Sequence, residues 1–315
     1  MGRVLLSILE IGGLILGLGA TIVGSGAINL APAFAESENS RWMAKLDDST
    51  KISSISIPGS HDSGAFYSIA DFSGKCQDYS IANQLNMGVR FFDIRLKNDS
   101  GRLRIVHGFI DQRSTYDDFL STVDAFVNTH EKETIFLSIK NEATDSGTAE
   151  EFASAVQKTS KEKIGSKFVT SKALPSTIGE VRGKVVLLSR FDADYGVDCY
   201  TGWPQGNRSE AFDIANGIHV QDYYMLPDCE VKKERVAECL AYASANAATG
   251  VSPLVLNFFS GYLEKGFPMS YSVPVAKELK PYALEHLKDY STTGVCLFDF
   301  VNEELCNAVI ERNAK

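Results

Sequence analysis

The 315-residue chain is 44% hydrophobic and carries 31 Lys and Arg against 40 Asp and Glu, a formal net charge of −9. That much apolar material supports one large domain or two small ones. An acidic chain without a basic run argues against nucleic acid binding and against simple electrostatic docking on an anionic membrane. Any membrane contact therefore has to rest on apolar and aromatic side chains.

The chain opens on Met1-Gly-Arg3, a short basic start, and continues with a largely apolar, glycine-rich stretch from Val4 to Val23. Ala33-Phe-Ala35 then supplies the small-x-small pattern of a signal-peptidase site, followed by polar Glu36-Ser-Glu-Asn-Ser40. Residues 1–35 are read as a signal peptide, which predicts a secreted, extracellular protein. A retained anchor is the alternative, because the apolar stretch is about long enough to span a bilayer. Removing residues 1–35 deletes Arg3 and Glu10 alone, so the charge stays at −9. Residues 36–315 are left, a length that suits a single (β/α)8 barrel.

Short β-branched or aromatic runs that stop at a polar residue then recur. Ile52 to Ile57 leads to His61-Asp62, Val89 to Ile94 leads to Arg95, and Leu103 to Val106 leads to His107. Thr134 to Ile139 ends at Lys140, Lys184 to Ser189 at Arg190, and Gly217 to Gln221 at Asp222. Leu254 to Phe259 and Gly294 to Phe298, the latter ending at Asp299, complete eight predicted strands. Their near-continuous apolar character is that of strands buried on both faces.

Helical patterns occupy most of the gaps: Ser80 to Met87, Thr115 to His130, Thr148 to Lys163, Val231 to Ala248, Val275 to Tyr290 and Asn302 to Asn313. Thr115 with Asp118 resembles a capping box. Strands alternating with helices predict an α/β single-domain TIM-type (β/α)8 barrel. It should be distorted, because Leu96 to Arg102 is too short a link for a helical crossover and implies an extended or irregular return.

In such a barrel the active site lies at the carboxyl ends of the strands. His61, Arg95, His107, Lys140, Arg190, Asp222 and Asp299 would then crowd one mouth. Two imidazoles and a guanidinium are the groups needed to move protons around a phosphate while holding its charge. Asp78, His130, His219 and His286 lack a matching context and are read as structural or surface residues. Six cysteines, Cys76, Cys199, Cys229, Cys239, Cys296 and Cys306, show no C-x-x-C pairing, which argues against a structural zinc site. Their even number fits disulfides in an exported protein, and buried free thiols are the alternative.

Ser56-Ile-Pro-Gly-Ser-His-Asp-Ser-Gly64, Gly88-Val-Arg-Phe-Phe-Asp-Ile-Arg95, Val106-His-Gly108, Val220-Gln-Asp-Tyr-Tyr224 and Leu297-Phe-Asp299 together resemble the bacterial-type phosphatidylinositol-specific phospholipase C family with its X domain. The resemblance spans nearly all of residues 36–315 and implies a distorted TIM barrel. It implies cleavage of phosphatidylinositol, with glycosyl-phosphatidylinositol anchors as a further substrate, to diacylglycerol and inositol 1,2-cyclic phosphate. Carried over by position, His61 resembles the general base and Asp299 the carboxylate that orients it. His107 resembles the general acid, with Asp62 as its partner, and Arg95 the phosphate clamp. Lys140, Arg190, Asp222 and Tyr224 resemble the residues that hold the inositol ring, although Lys140 snorkelling to solvent or Arg190 pairing with Asp192 or Asp194 are structural alternatives.

Arg95 places a guanidinium where calcium-dependent relatives of the superfamily would hold a metal ligand, so no metal and no cofactor are expected. A structural Arg95–Asp93 pair is the competing assignment. A metal-dependent barrel phosphodiesterase of the glycerophosphodiester or sphingomyelinase D type, or a catalytically silent lipid-binding module, are the rival functions. A monomer is expected. Contact with a phosphatidylinositol-bearing membrane is predicted through aromatic rim loops, Tyr262 to Tyr271 with Phe267, and Phe66, Tyr67, Ile69 and Phe72 after the His61 motif.

Overall fold

The computed structural model describes residues 34, 37–68, 74–247, 253–265 and 271–314. The predicted signal peptide, apart from Phe34, and the rim residues Ile69, Phe72 and Phe267 lie outside the described residues.

Among the described residues, fourteen strands and six α-helices follow one another from Ile57 onward. The strands are β1 (Ile57–Ser60), β2 (Phe91–Asp99), β3 (Arg102–His107), β4 (Ile110–Thr115), β5 (Ile135–Asn141), β6 (Phe168–Val169), β7 (Val185–Arg190), β8 (Val197–Asp198), β9 (Phe212–Ile214), β10 (Ile218–Gln221), β11 (Met225–Leu226), β12 (Leu254–Phe258), β13 (Tyr262–Leu263) and β14 (Val295–Phe298). The helices are α1 (Ile81–Met87), α2 (Tyr116–Thr129), α3 (Ala149–Ile164), α4 (Cys229–Ala247), α5 (Val273–His286) and α6 (Glu303–Ile310). Each predicted helix is present. Reciprocal capping boxes start α2 (Thr115 with Asp118) and α3 (Thr148 with Glu151), pairing backbone N–H groups that a helix start otherwise leaves open.

The main sheet runs in the order β6-β7-β5-β2-β1-β14-β12-β10-β9. All its neighbours are parallel except β10 with β9. It curls into a barrel that stays open along one seam: among the described residues no pairing joins the β6–β8 side to β9. Two expectations need correction. Ile52 to Ile57 is not a strand throughout, since Ile52–Ser54 form a 3-10 turn in which the Ser54 hydroxyl bonds back to the Lys51 carbonyl. Serines compete in this way with a strand ladder. The third predicted strand is not a parallel barrel stave either. β2 runs on to Asp99, turns at Ser100-Gly101 with φ of 52° and 90°, and returns antiparallel as β3. Two successive positive φ values match the right-handed strand twist and make a tight two-residue hairpin.

Strand side chains alternate between the two faces. Phe92, Ile94, Leu137, Ile139 and Leu187 face the helices in one apolar cluster. Phe91, Phe136, Val186, Leu188, Val220, Leu256 and Leu297 fill the inside of the curl in another. The same parity carries upward from the inner layer. Phe91 is followed by Asp93 and Arg95, Leu188 by Arg190, Val220 by Asp222, Leu297 by Asp299, and Ile57 by Gly59 and His61. The polar residues at the mouth are therefore continuations of the inner apolar columns.

Candidate active site

A cavity of about 530 Å³ opens at the carboxyl ends of the parallel strands. His61, Arg95, His107 and Asp299 line it, with Lys140, Arg190, Asp222 and Tyr224 further round its wall. Asp62 is wholly buried just behind it. All nine residues selected from the sequence are thus brought together. Their routes differ, because His107 arrives from the antiparallel β3 and not from the end of a barrel stave.

His61 follows β1, and its backbone N–H is held by the Phe298 carbonyl at 3.0 Å. Gln77 reinforces the junction by donating to the carbonyls of His61 (2.7 Å) and Phe298 (2.9 Å). This brings Nδ1 of His61 within 2.8 Å of Asp299 Oδ1. Asp299 can only accept there, so Nδ1 carries the proton and Nε2 presents its lone pair to the cavity. In agreement, Nε2 lies 2.7 Å from Nη2 of Arg95, which can only donate. Burial depresses the affinity of His61 for a proton, but the carboxylates of Asp299 and Asp93 outweigh it and set its pKa above the ordinary histidine value.

Apart from His61 Nε2, the acceptors around Arg95 are carboxylates, none of them close. Its guanidinium is 3.4 Å from Asp93 Oδ2, 3.5 Å from Glu142 Oε1 and 3.7 Å from Asp62 Oδ2. Its Nε makes no hydrogen bond. The Arg95–Asp93 pair is therefore real but loose. Asp93 also lies 3.5 Å from Arg190 and accepts from the Asp62 backbone N–H at 3.2 Å. Against the raising effect of burial, Arg95 and Arg190 hold its carboxyl well below the usual carboxylate range.

Asp62 adopts φ of 41°, a left-handed conformation that aspartate tolerates better than most residues. Its Oδ2 is 3.6 Å from His107 Nε2, ion-pair range but too long for a good hydrogen bond. Burial lifts the Asp62 carboxyl above its ordinary pKa despite Arg95 and His107 beside it.

Arg95, Lys140 and Arg190 occupy one register row across β2, β5 and β7. Lys140 forms an ion pair with Glu142, Nζ to Oε2 2.6 Å, and is not free in solvent. Burial and Arg95 lower its pKa. Arg190 stacks 3.7 Å from the Trp203 ring centroid and reaches Asp93 and Asp222, at 3.5 and 3.8 Å, rather than Asp192 or Asp194. Tyr224 stands beside Tyr262, ring centroids 6.1 Å apart, where β11 and β13 pair.

Several contributors were not among the site residues read from the sequence, where Asp93 figured only as a structural partner of Arg95. Asp93 and Glu142 sit two residues from Arg95 and Lys140, so the strand period alone would have placed them on the same face. Glu142 is held at a pKa of about 2: burial raises it, but Arg95 and Lys140 bring it down. Lys232, fully buried on α4, donates to the Tyr223 carbonyl at 2.6 Å and Gln221 Oε1 at 3.1 Å, fixing the link between β10 and β11 that carries Asp222 and Tyr224. Phe109 is 93% exposed in the Gly108-Phe109 turn next to His107. Of the predicted rim residues, Phe66 packs against the core and Tyr67 lies under the Arg113 guanidinium at 3.6 Å. All six cysteines are free, five of them buried.

Fold and site together set out a barrel centre suited to moving protons around a phosphate: two histidines, each backed by a carboxylate, on either side of an arginine. Comparison with known proteins narrows the class. The phosphatidylinositol-specific phospholipase C X domain matches residues 52–191. The 1-phosphatidylinositol phosphodiesterase of Listeria monocytogenes is 25% identical over 284 residues, covering 87% of this chain and 84% of that protein. That of Staphylococcus aureus strain Newman is 27% identical over 295 residues, covering 86% and 93%. A solved structure of a histidine-to-tyrosine mutant of the Staphylococcus aureus phosphatidylinositol-specific phospholipase C superposes with a TM-score of 0.74 at 26% identity, over 86% of this chain and 96% of that one. The Listeria enzyme shares the fold, with a TM-score of 0.69 over 87% and 98%. Over most of its length, then, the chain is similar to the bacterial phosphatidylinositol-specific phospholipases C, as its motifs imply.

Proposed function

We propose that this protein is a secreted, metal-independent phosphatidylinositol-specific phospholipase C made of a leader, residues 1–35, and one catalytic barrel, residues 36–315. The observation that carries the chemistry is His61, held by Asp299 at 2.8 Å with its unprotonated Nε2 turned toward Arg95 and the cavity. Nε2 takes the proton of the inositol 2-hydroxyl as that oxygen attacks the neighbouring phosphorus. Attack within one molecule requires little reorganisation. The hydroxyl replaces Arg95 on Nε2, and the guanidinium, loosely held by its carboxylates, turns its spare donors to the phosphoryl oxygens. The bond from phosphorus to the glycerol oxygen breaks, and His107, paired with Asp62, protonates that leaving oxygen. Diacylglycerol and inositol 1,2-cyclic phosphate result. Lys140, Arg190 and Asp222 offer donors and acceptors to the ring hydroxyls, and Tyr224 a face for its C–H side.

Phosphorus NMR of the products from phosphatidylinositol vesicles in excess chelator tests the whole scheme. Inositol 1,2-cyclic phosphate is expected. A strict requirement for calcium, or release of choline or glycerophosphate from other lipids, would point to a metal-dependent phosphodiesterase.

The protein acts as a monomer that meets the bilayer through aromatic side chains at the mouth. The exposed Phe109 beside His107 joins Tyr271 in that role. Replacing Phe109 by Ser should weaken vesicle binding about tenfold, from the apolar area withdrawn from water. Hydrolysis of soluble inositol 1,2-cyclic phosphate should be spared. Equal loss on both substrates would remove Phe109 from the membrane-binding surface.

A further inference from the structure

Cys76 reaches the catalytic cavity, yet the reaction gives its thiol no task. The side chain is buried, lines the cavity and lies between the two histidine–carboxylate pairs. One ligand atom each from Asp62, Cys76 and His107 lie within 4.8 Å of one another. Three further observations single out this trio. Both carboxylate oxygens of the fully buried Asp62 lack a hydrogen bond. Asp62 Oδ2 and His107 Nε2 are 3.6 Å apart. That is long for a hydrogen bond but within the roughly 3.3–3.8 Å between ligands around a tetrahedral ion with bonds of about 2.0–2.3 Å. The other trio that includes Cys76, with His61 and Asp299, would have to break the 2.8 Å bond between its own members.

We infer that Asp62, Cys76 and His107 form an inhibitory site for a thiophilic divalent cation of the zinc or cadmium type, its fourth position open to the cavity. Binding releases the thiol proton to solvent, leaving thiolate, carboxylate and neutral imidazole around the ion. Two negative charges then neutralise the two positive charges, so Arg95 meets no net repulsion. No electron is transferred. The ion sits between Nε2 of His107 and Asp62, so the ring can no longer become the imidazolium that gives a proton to the leaving oxygen. Calcium and magnesium prefer oxygen ligands and do not compete for a thiolate. The loss of activity rests on the phospholipase reading, whereas binding of the ion does not.

Two measurements on the full chain keep these apart. Cobalt(II) titrated into the protein should give the intense tetrahedral bands and sulfur-to-metal charge transfer of a thiolate site. Cys76→Ala should lose both, while Cys229→Ala and Cys199→Ala should keep them. Zinc should inhibit cleavage of phosphatidylinositol, calcium at the same concentration should not, and chelator should restore the rate. Cys76→Ala should be active without metal and need at least about tenfold more zinc for half inhibition. If Cys76→Ala binds cobalt with the same spectrum, or is as zinc-sensitive as the parent, the inference is wrong. If the spectrum appears in a protein that never cleaves phosphatidylinositol, the site stands and the phospholipase reading fails.

Discussion

Two arginines five residues apart, one just before β2 and one halfway along it, show how differently one side chain can be used. Arg90, below the barrel, is fully buried and its donors are matched. Nε bonds Glu133 at 2.8 Å, Nη1 bonds the Leu85 and Val89 carbonyls, and Nη2 bonds those of Asn39 and Ser40. Arg95, at the mouth, faces three carboxylates at 3.4 to 3.7 Å and leaves Nε without a hydrogen bond. A saturated guanidinium is mortar, since removing it strands a buried carboxylate. An unsaturated one keeps a donor in reserve for a ligand, while its acidic neighbours hold its charge through long, weak contacts, 3.4 Å to Asp93 and 3.5 Å to Glu142.

The sharpest way to break this contrast is to remove each arginine in turn. Arg95→Met should lower kcat by about 10³-fold with melting behaviour largely kept, as for loss of a transition-state donor. Arg90→Met should cost about 3–5 kcal/mol of stability, because Glu133 is left buried and unpaired, while the folded fraction keeps its kcat. Thermal unfolding and steady-state kinetics on both variants check the pair. Reversed outcomes would mean that Arg95 is structural. Arg95→Lys should recover only part of the rate, because an ammonium cannot make the two-pronged contact.

Smaller effects concern pH. The base must be unprotonated, so kcat/KM should rise as pH climbs through the raised pKa of His61. Asp299 raises that pKa and Arg95 lowers it. Asp299→Asn should therefore move the acid limb to lower pH, and Arg95→Met should move it to higher pH, each on a reduced plateau. Shifts in one common direction would deny that these two groups act on His61. The smallest expected effect is on stability in acid. Glu142, held at a pKa of about 2, contributes stability at neutral pH that is lost as pH falls from its unfolded value of about 4.5 through 2. Glu142→Gln should flatten that part of the profile of melting temperature against pH.

Much of the site was legible because it is written in strand parity. His61, Arg95, Arg190, Asp222 and Asp299 each continue an apolar column, and a column can be counted from the sequence. The helices were equally plain, since their caps are local. What stayed hidden depends on contacts between distant segments. Lys232 reads as one more cation on an amphipathic helix until α4 packs and its ammonium meets the Tyr223 carbonyl. Burial then takes its pKa down to about 7, although Asp222 and Asp299 pull the other way. Gln77 ties the His61 and Phe298 strand ends together from a segment with no pattern of its own. The return after β2 was legible in the shortness of the link, but its exact form, a two-residue hairpin, rests on Ser100 and Gly101 both taking positive φ.

Arg95, Lys140 and Arg190 share one row of the sheet, level with one another across three neighbouring strands. Parallel strands lie about 4.8 Å apart, so the row works as a ruler roughly 10 Å long, marked with positive charge. The ruler exists only in one phase. A single residue inserted between Phe91 and Arg95 would turn the guanidinium toward the helices and bring an apolar neighbour to the mouth. Drift in such a chain should therefore accumulate between the strands and hardly ever within these three, and a transplanted site would have to carry its sheet with it.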